Sequence, residues 1–165
     1  MDHQQKAARQ IHDIKLAVIT VSDSRTLETD TNGQYLLAQA DALHMDVPLY
    51  KIIPDEAQQV AELLDLAAEL ADVIVFNGGT GISTRDTTFD VLHARFEKPI
   101  PGFGELFRML SYEQVGAAAM LSRAAAGIYR NRVVFCVPGS HAAVMLAWEQ
   151  LIAGQIPHLI WEMRR

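Results

Sequence analysis

The chain is poor in cysteine, in positive charge and in long apolar runs, and each shortage removes a class of protein. A single cysteine, Cys136, among 165 residues leaves no intrachain disulfide framework and no Cys-x-x-Cys zinc pair. It lies in the apolar run Val133-Val134-Phe135-Cys136-Val137 and reads as a packing residue, not a nucleophile. The histidines stand singly, without His-x-x-x-His spacing, so a structural zinc site is not expected. Lys and Arg number 14 against 20 Asp and Glu, a net charge of −6. That balance lacks the cationic surplus that displaces counterions from nucleic acid or holds an anionic bilayer. A small anionic ligand stays open, because it responds to the local field of one pocket. No stretch approaches the roughly 20 apolar residues that span a bilayer. Met1-Asp2-His3-Gln4-Gln5 also lacks the apolar centre of a signal peptide. The expectation is a cytoplasmic protein with neither a nucleic-acid nor a membrane partner.

Half of the residues are hydrophobic, enough for a buried core, and the length suits one domain over residues 1–165. The most informative stretch is Val73-Ile74-Val75-Phe76-Asn77-Gly78-Gly79-Thr80-Gly81, followed by Ile82-Ser83-Thr84-Arg85-Asp86. Its apolar start reads as a buried strand. The glycines then free the backbone to adopt positive φ and to bring N–H groups close to a ligand. A strand ending in such a turn is how an open α/β sheet builds a binding crevice. A tight strand–helix connection without a ligand is the alternative.

The remaining elements follow from periodicity and punctuation. Residues 1–13 are polar and read as a loose arm or short helix. Strands are expected at 15–21, 47–53, 73–77 and 133–137. Helices are expected at 34–44, after the capping cluster Asp30-Thr31-Asn32-Gly33, and at 56–71, where Asp55 is placed to cap. Further helices are expected at 88–95, 106–112, 115–125 and 142–152. The prolines and glycines of Pro99-Ile100-Pro101-Gly102-Phe103-Gly104-Glu105 are expected to break regular structure. Residues 154–165 carry Ile156, Leu159, Ile160 and Trp161 and should dock on the body or on a partner chain. The βαβαβ start implies a three-layer α/β/α fold with a mostly parallel sheet.

Three strand ends are small and polar: Ser22-Asp23-Ser24, Asn77 to Gly81, and Pro138-Gly139-Ser140. In a parallel sheet they share one edge, with helix N-termini suited to phosphate close behind. No Lys follows the glycines as in a Walker A loop, and the Gly-x-Gly-x-x-Gly fingerprint is absent. Asp23, Asp55 and Asp86 fall on the same edge. Carboxylates beside a phosphate site call for a cation between them, which points to Mg²⁺. Taken singly, Asp55 reads equally as a helix cap, and Asp86 as a cap or salt bridge within its turn.

The motifs Thr20-Val21-Ser22-Asp23, Asp30-Thr31-Asn32-Gly33 and Gly78-Gly79-Thr80-Gly81 with Arg85-Asp86 continue in order with three more. These are Pro101-Gly102-Phe103-Gly104-Glu105, Leu121-Ser122-Arg123 and Pro138-Gly139-Ser140. In this order they resemble the MogA/MoaB family of molybdenum-cofactor biosynthesis, whose molybdopterin-binding fold is shared with the gephyrin G domain. The stretch from Phe107 to Glu113 leans toward the MoaB branch. The resemblance implies Mg²⁺- and ATP-dependent adenylylation of molybdopterin: the pterin's terminal phosphate attacks the α-phosphate of ATP and pyrophosphate leaves. It implies Asp55 and Asp86 as the catalytic and Mg²⁺-organising acids. Nucleotide phosphates would lie on the backbone of Gly78, Gly79, Thr80 and Gly81, and Ser22, Asp23 and Ser140 would orient the pterin. It also implies a homo-oligomer, trimer or hexamer, and a molybdenum-insertion protein as partner. One position departs. Where the family usually carries Lys two residues after Pro-Gly-Ser, the chain reads His141-Ala142, leaving Arg25, Arg85, His141 or a neighbouring subunit to supply that cation. A non-catalytic molybdopterin binder or scaffold is the alternative function. A flavodoxin-like signalling domain would have no need of the three glycines.

Overall fold

In the computed structural model, which describes residues 13–165, a six-stranded sheet is covered on both faces by helices. The elements run β1 (Lys15–Val21), α1 (Thr31–Ala42), β2 (Asp46–Ile53), α2 (Ala57–Leu70), β3 (Val73–Asn77), α3 (Thr88–Arg95) and β4 (Lys98–Pro99). They continue as α4 (Pro101–Val115), a 3₁₀ segment (Gly116–Leu121), β5 (Ala125–Tyr129), β6 (Arg132–Val137), α5 (His141–Ala147) and α6 (Ile156–Arg164). A π-helical turn (Trp148–Ile152) and a 3₁₀ turn (Ala153–Gln155) join the last two helices. Residues 1–12 of the expected N-terminal arm lie outside the described residues.

The strand order is β2-β1-β3-β6-β5-β4. The first four run parallel, and β5 and β4 pair antiparallel at one edge. Side chains alternate across the strands, which splits the core in two. Leu16, Val18, Val75 and Phe135 face α1, α4, α5 and α6, with Phe107 and Trp148 filling the layer. Ala17, Ile19, Ile74, Phe76 and Cys136 face α2 and α3 through Val60, Leu64 and Leu92. Cys136 is fully buried, and burial pushes its thiol pKa up, in keeping with a packing role. The C-terminal segment docks on the first layer through Ile156 and Ile160.

Three expectations are corrected. Pro99 to Glu105 does not break regular structure: Pro101 opens α4, where its missing N–H has no partner to lose. The expected helix at 115–125 does not form. Gly116, at φ +66°, ends α4, and Ala125 and Ala126 join β5, held by pairing with Cys136 and Phe135. Gly127 in that strand lies under the Phe96 ring, leaving no room for a Cβ. Finally, α1 begins at Thr31 rather than at residue 34, because Asp30 accepts from the Gly33 N–H and caps it.

Candidate functional site

The β1 loop leads to α1 on one face of the sheet, and the β3 loop leads to α3 on the other. Adjacent parallel strands whose connections diverge leave a crevice at their carboxyl ends. The glycine turn sits at this point. Gly78 (φ +105°) and Gly79 (φ +69°) occupy backbone space that a side chain rarely tolerates. A Cβ on Gly78 would strike the Val21 carbonyl, and one on Gly139 would meet the Gly78 Cα at 3.2 Å. The ends of β1, β3 and β6 therefore touch. The Gly78 N–H donates to the Val137 carbonyl at 2.9 Å, so of the four expected phosphate donors this one is spent on the fold. Among the described residues, the N–H groups of Gly79, Thr80 and Gly81 meet no intramolecular acceptor. Three free donors in one glycine turn suit an anion.

Both acids lie against this turn. A Cβ on Gly79 would be 2.6 Å from Asp55 Oδ2, and one on Gly81 would be 2.6 Å from Asp86 Oδ2. Those glycines are two residues apart, at most about 7 Å between Cα atoms. Asp55 is 8 % exposed and accepts from the Thr87 N–H (3.2 Å), Thr87 Oγ1 (2.8 Å) and Thr88 Oγ1 (3.0 Å). The expectation that it caps α2 is thus corrected: Glu56 holds that position, without a side-chain bond, while Asp55 turns inward to the start of α3. Asp86 is half-buried and accepts from the Ser83 N–H at 3.0 Å, a bond within its own turn. A cavity of about 580 Å³ opens beside Asp86, Thr87 and Arg123.

The remaining expected residues line the rim. Ser22 Oγ accepts from the N–H groups of Ser24 (3.2 Å) and Arg25 (3.1 Å), folding the β1 loop. Asp23 takes Arg85 in a fork, Nε at 3.0 Å and Nη2 at 2.8 Å, and also faces the Asp55 N–H at 3.4 Å. The bonded guanidinium holds the Asp23 carboxyl below the usual carboxylate range. A second cavity, about 540 Å³, adjoins Ser22, Asp23 and Arg25. Ser140 Oγ accepts from the Ala143 N–H at 3.2 Å and caps α5. Thr80 is buried, and its carbonyl accepts from Arg123 Nε at 3.2 Å.

Three residues shape the site that the sequence assigned no role. Arg123 also donates to the Gly81 carbonyl at 2.6 Å and to Asp90 at 2.8 Å, clamping the glycine turn onto α3. Asn32 Nδ2 bonds Asn77 Oδ1 (3.0 Å) and the Gly139 carbonyl (2.7 Å), while Asn77 Nδ2 bonds Thr20 Oγ1 (3.0 Å). These two buried amides tie together the ends of β1, β3 and β6. Asn32 and Arg123 sit inside recognisable motifs. Asn77 ends an apolar strand, where a buried polar side chain needs a partner.

With hard oxygen donors at Asp55 and Asp86, the site has the ligand type that Mg²⁺ takes, commonly one or two carboxylates completed by phosphate oxygens. Among the described residues, no group of three or more His, Cys, Asp or Glu could hold an ion unaided. A metal here would need its ligand's oxygens.

Fold and rim together define a doubly wound α/β protein with a candidate ligand crevice at its switch point. Comparison with known proteins narrows that class. The pattern described as "Probable molybdopterin binding domain" matches residues 17–158. Molybdenum cofactor biosynthesis protein B of Bacillus subtilis is 43 % identical over 155 residues, covering 92 % of this chain and 91 % of that one. The Staphylococcus aureus protein of the same name is 46 % identical over 159 residues, covering 92 % and 93 %. A crystal structure of molybdenum cofactor biosynthesis protein B superposes with a TM-score of 0.88 at 41 % identity, covering 93 % of this chain and 97 % of that one. The tungsten cofactor synthesizing protein MoaB from Pyrococcus furiosus superposes at 0.84, with 39 % identity and coverage of 93 % and 98 %. The chain belongs to the molybdenum cofactor biosynthesis family, and its structural neighbours are MoaB and MogA proteins.

Proposed function

We propose that the crevice binds ATP and molybdopterin and transfers the adenylyl group from one to the other. The observation that carries this reading is the glycine turn with three free N–H groups and a carboxylate against each of Gly79 and Gly81. In the reaction, a terminal phosphate oxygen of molybdopterin forms a bond to the α-phosphorus of ATP. The bond from that phosphorus to the β-phosphate bridging oxygen breaks, and pyrophosphate departs. Two anions must be brought into line and their charge offset, so positioning and electrostatics supply the catalysis.

In this reading the N–H groups of Gly79, Thr80 and Gly81 hold nucleotide phosphates, and Arg123 keeps the turn in shape. Gly78 serves by its backbone conformation. Ser22, Asp23 and Ser140 border the part of the rim that would orient the pterin. Asp86 and Asp55 are the residues that would hold Mg²⁺, which when bound neutralises phosphate charge. Asp86 is the more available of the two, because Asp55 already accepts three bonds from Thr87 and Thr88. That engagement also favours a second reading, a molybdopterin binder without catalysis, in which Asp55 is structural only. Calorimetry separates them: Mg²⁺-dependent ATP binding is expected for the transferase, and pterin binding without nucleotide affinity for the binder.

The assembly we propose is a homo-oligomer, trimer or hexamer, working in the cytoplasm with a molybdenum-insertion protein downstream. Leu106, Met109, Tyr112 and Val115 of α4, with Met120 and Leu121 beyond it, expose apolar surface along one side. An apolar patch of that kind is commonly covered by another chain.

A further inference from the structure

The crevice between the β1 and β3 loops is spanned by one ion pair, Arg85 to Asp23, formed between residues 62 positions apart. The side chains are 58 % and 50 % exposed. Water solvates both partners of such a pair, so it is held weakly. Its two-point fork is nevertheless the geometry a guanidinium offers to a phosphate. Lys51 of β2 also lines the cavity beside Ser22, Asp23 and Arg25, but an ammonium offers a point charge and not a planar fork. Three other basic side chains near the rim are engaged elsewhere. Arg25 donates to the Thr29 carbonyl at 2.6 Å, and Arg123 to the carbonyls of Thr80 and Gly81. His141 is bonded through Nδ1 to Asn32 Oδ1 at 3.0 Å. Of the four engaged side chains, Arg85 alone is held only by another exposed side chain.

We propose that Arg85 is the phosphate-gripping side chain of the crevice and that Asp23 is its internal stand-in for the phosphate. An arriving polyphosphate takes the guanidinium fork from the Asp23 carboxylate. The carboxylate is released to accept N–H donors from a second ligand. This rests on the reading of the crevice as a nucleotide site. The exchange is favoured because a polyphosphate carries more charge than a carboxylate and also reaches the free N–H groups of the neighbouring glycine turn. No covalent bond changes and no proton moves. Asp23 therefore opposes anion binding when the anion comes alone, the reverse of what a direct ligand-holding acid would do.

The test is calorimetric titration of the intact protein with Mg-ATP and, separately, with inorganic pyrophosphate. The wild type is compared with Asp23→Asn, Arg85→Ala and the double variant. Arg85→Ala is expected to weaken both probes by about tenfold or more. Asp23→Asn is expected to strengthen them severalfold, and to do nothing once Arg85 is absent. Arg85→Lys keeps the charge without the fork and should fall between wild type and Arg85→Ala. Unchanged affinity in Arg85→Ala, or weaker binding in Asp23→Asn, overturns the exchange and leaves the nucleotide reading standing. Failure of all the proteins to bind either probe overturns both. Since the pair is exposed, melting temperatures should match the wild type, which separates lost binding from lost fold.

Discussion

At the scale of single residues, the two acids do different work although they flank one turn. Asp55 is buried and accepts from Thr87 and Thr88, so Asp55→Ala leaves a buried hydroxyl without its partner. We expect a stability loss of about 3 kcal/mol. That should read as a fall in melting temperature of about 6–12 °C. Asp86 is half-buried and bonds only its own turn, so Asp86→Ala should leave the melting temperature nearly unchanged. Its expected cost is in turnover, about 100-fold or more, with a much smaller change in ATP affinity. Equal losses in turnover and affinity would make Asp86 a binding residue only. The placement of both acids at the rim was legible from the sequence, because each stands beside a strand end or a glycine turn. Their partners were not: Asp55 meets Thr87 across 32 residues, and Arg123 meets Gly81 across 42. Only tertiary folding creates those bonds.

At the scale of elements, the parallel strands could be read directly, because strands buried on both faces are continuous apolar runs. The antiparallel edge could not. Ala125-Ala126-Gly127-Ile128-Tyr129 has the composition of a helix or a loop, and it is a strand because β6 pairs with it and Phe96 fills the space above Gly127. Gly116 marks the true end of α4. With open space around it, Gly116→Ala should cost about 1–3 kcal/mol from its backbone conformation alone (φ +66°, ψ −145°), measured by denaturant melts. α1 is tied to the π-helical turn after α5 by Tyr35, whose hydroxyl donates to Glu149 at 2.9 Å. Burial first, then this bond, pushes the Tyr35 pKa up to about 12 from 10.0. A folded pKa above the unfolded one means the contribution is intact below about pH 10 and is lost as pH rises through about 12. Tyr50, which donates to Asp30 at 2.6 Å, is raised too, again mainly by burial. Alkaline unfolding should therefore be shallower in Tyr35→Phe than in the wild type, and an unchanged pH profile would count against this tie.

At the scale of the whole molecule, one side carries the crevice and another the exposed apolar surface of α4. If that surface is an interface, sedimentation of the wild type should give a trimer or hexamer. Met109→Glu combined with Met120→Glu should then shift it toward monomer. A wild-type monomer would remove the oligomer from the account. The convergence of strand ends onto one rim was inferable once the sheet was taken as parallel, and Gly139 against Gly78 places the loops in contact. The proposed function rests on what that rim does. Its most direct test is to incubate the protein with molybdopterin, ATP and Mg²⁺ and to quantify adenylylated molybdopterin and pyrophosphate together. Equal amounts of the two products are expected from the wild type and little of either from Asp86→Ala. Molybdopterin bound but unchanged, with ATP intact, under conditions where a known adenylyltransferase forms product, would contradict the proposed transfer.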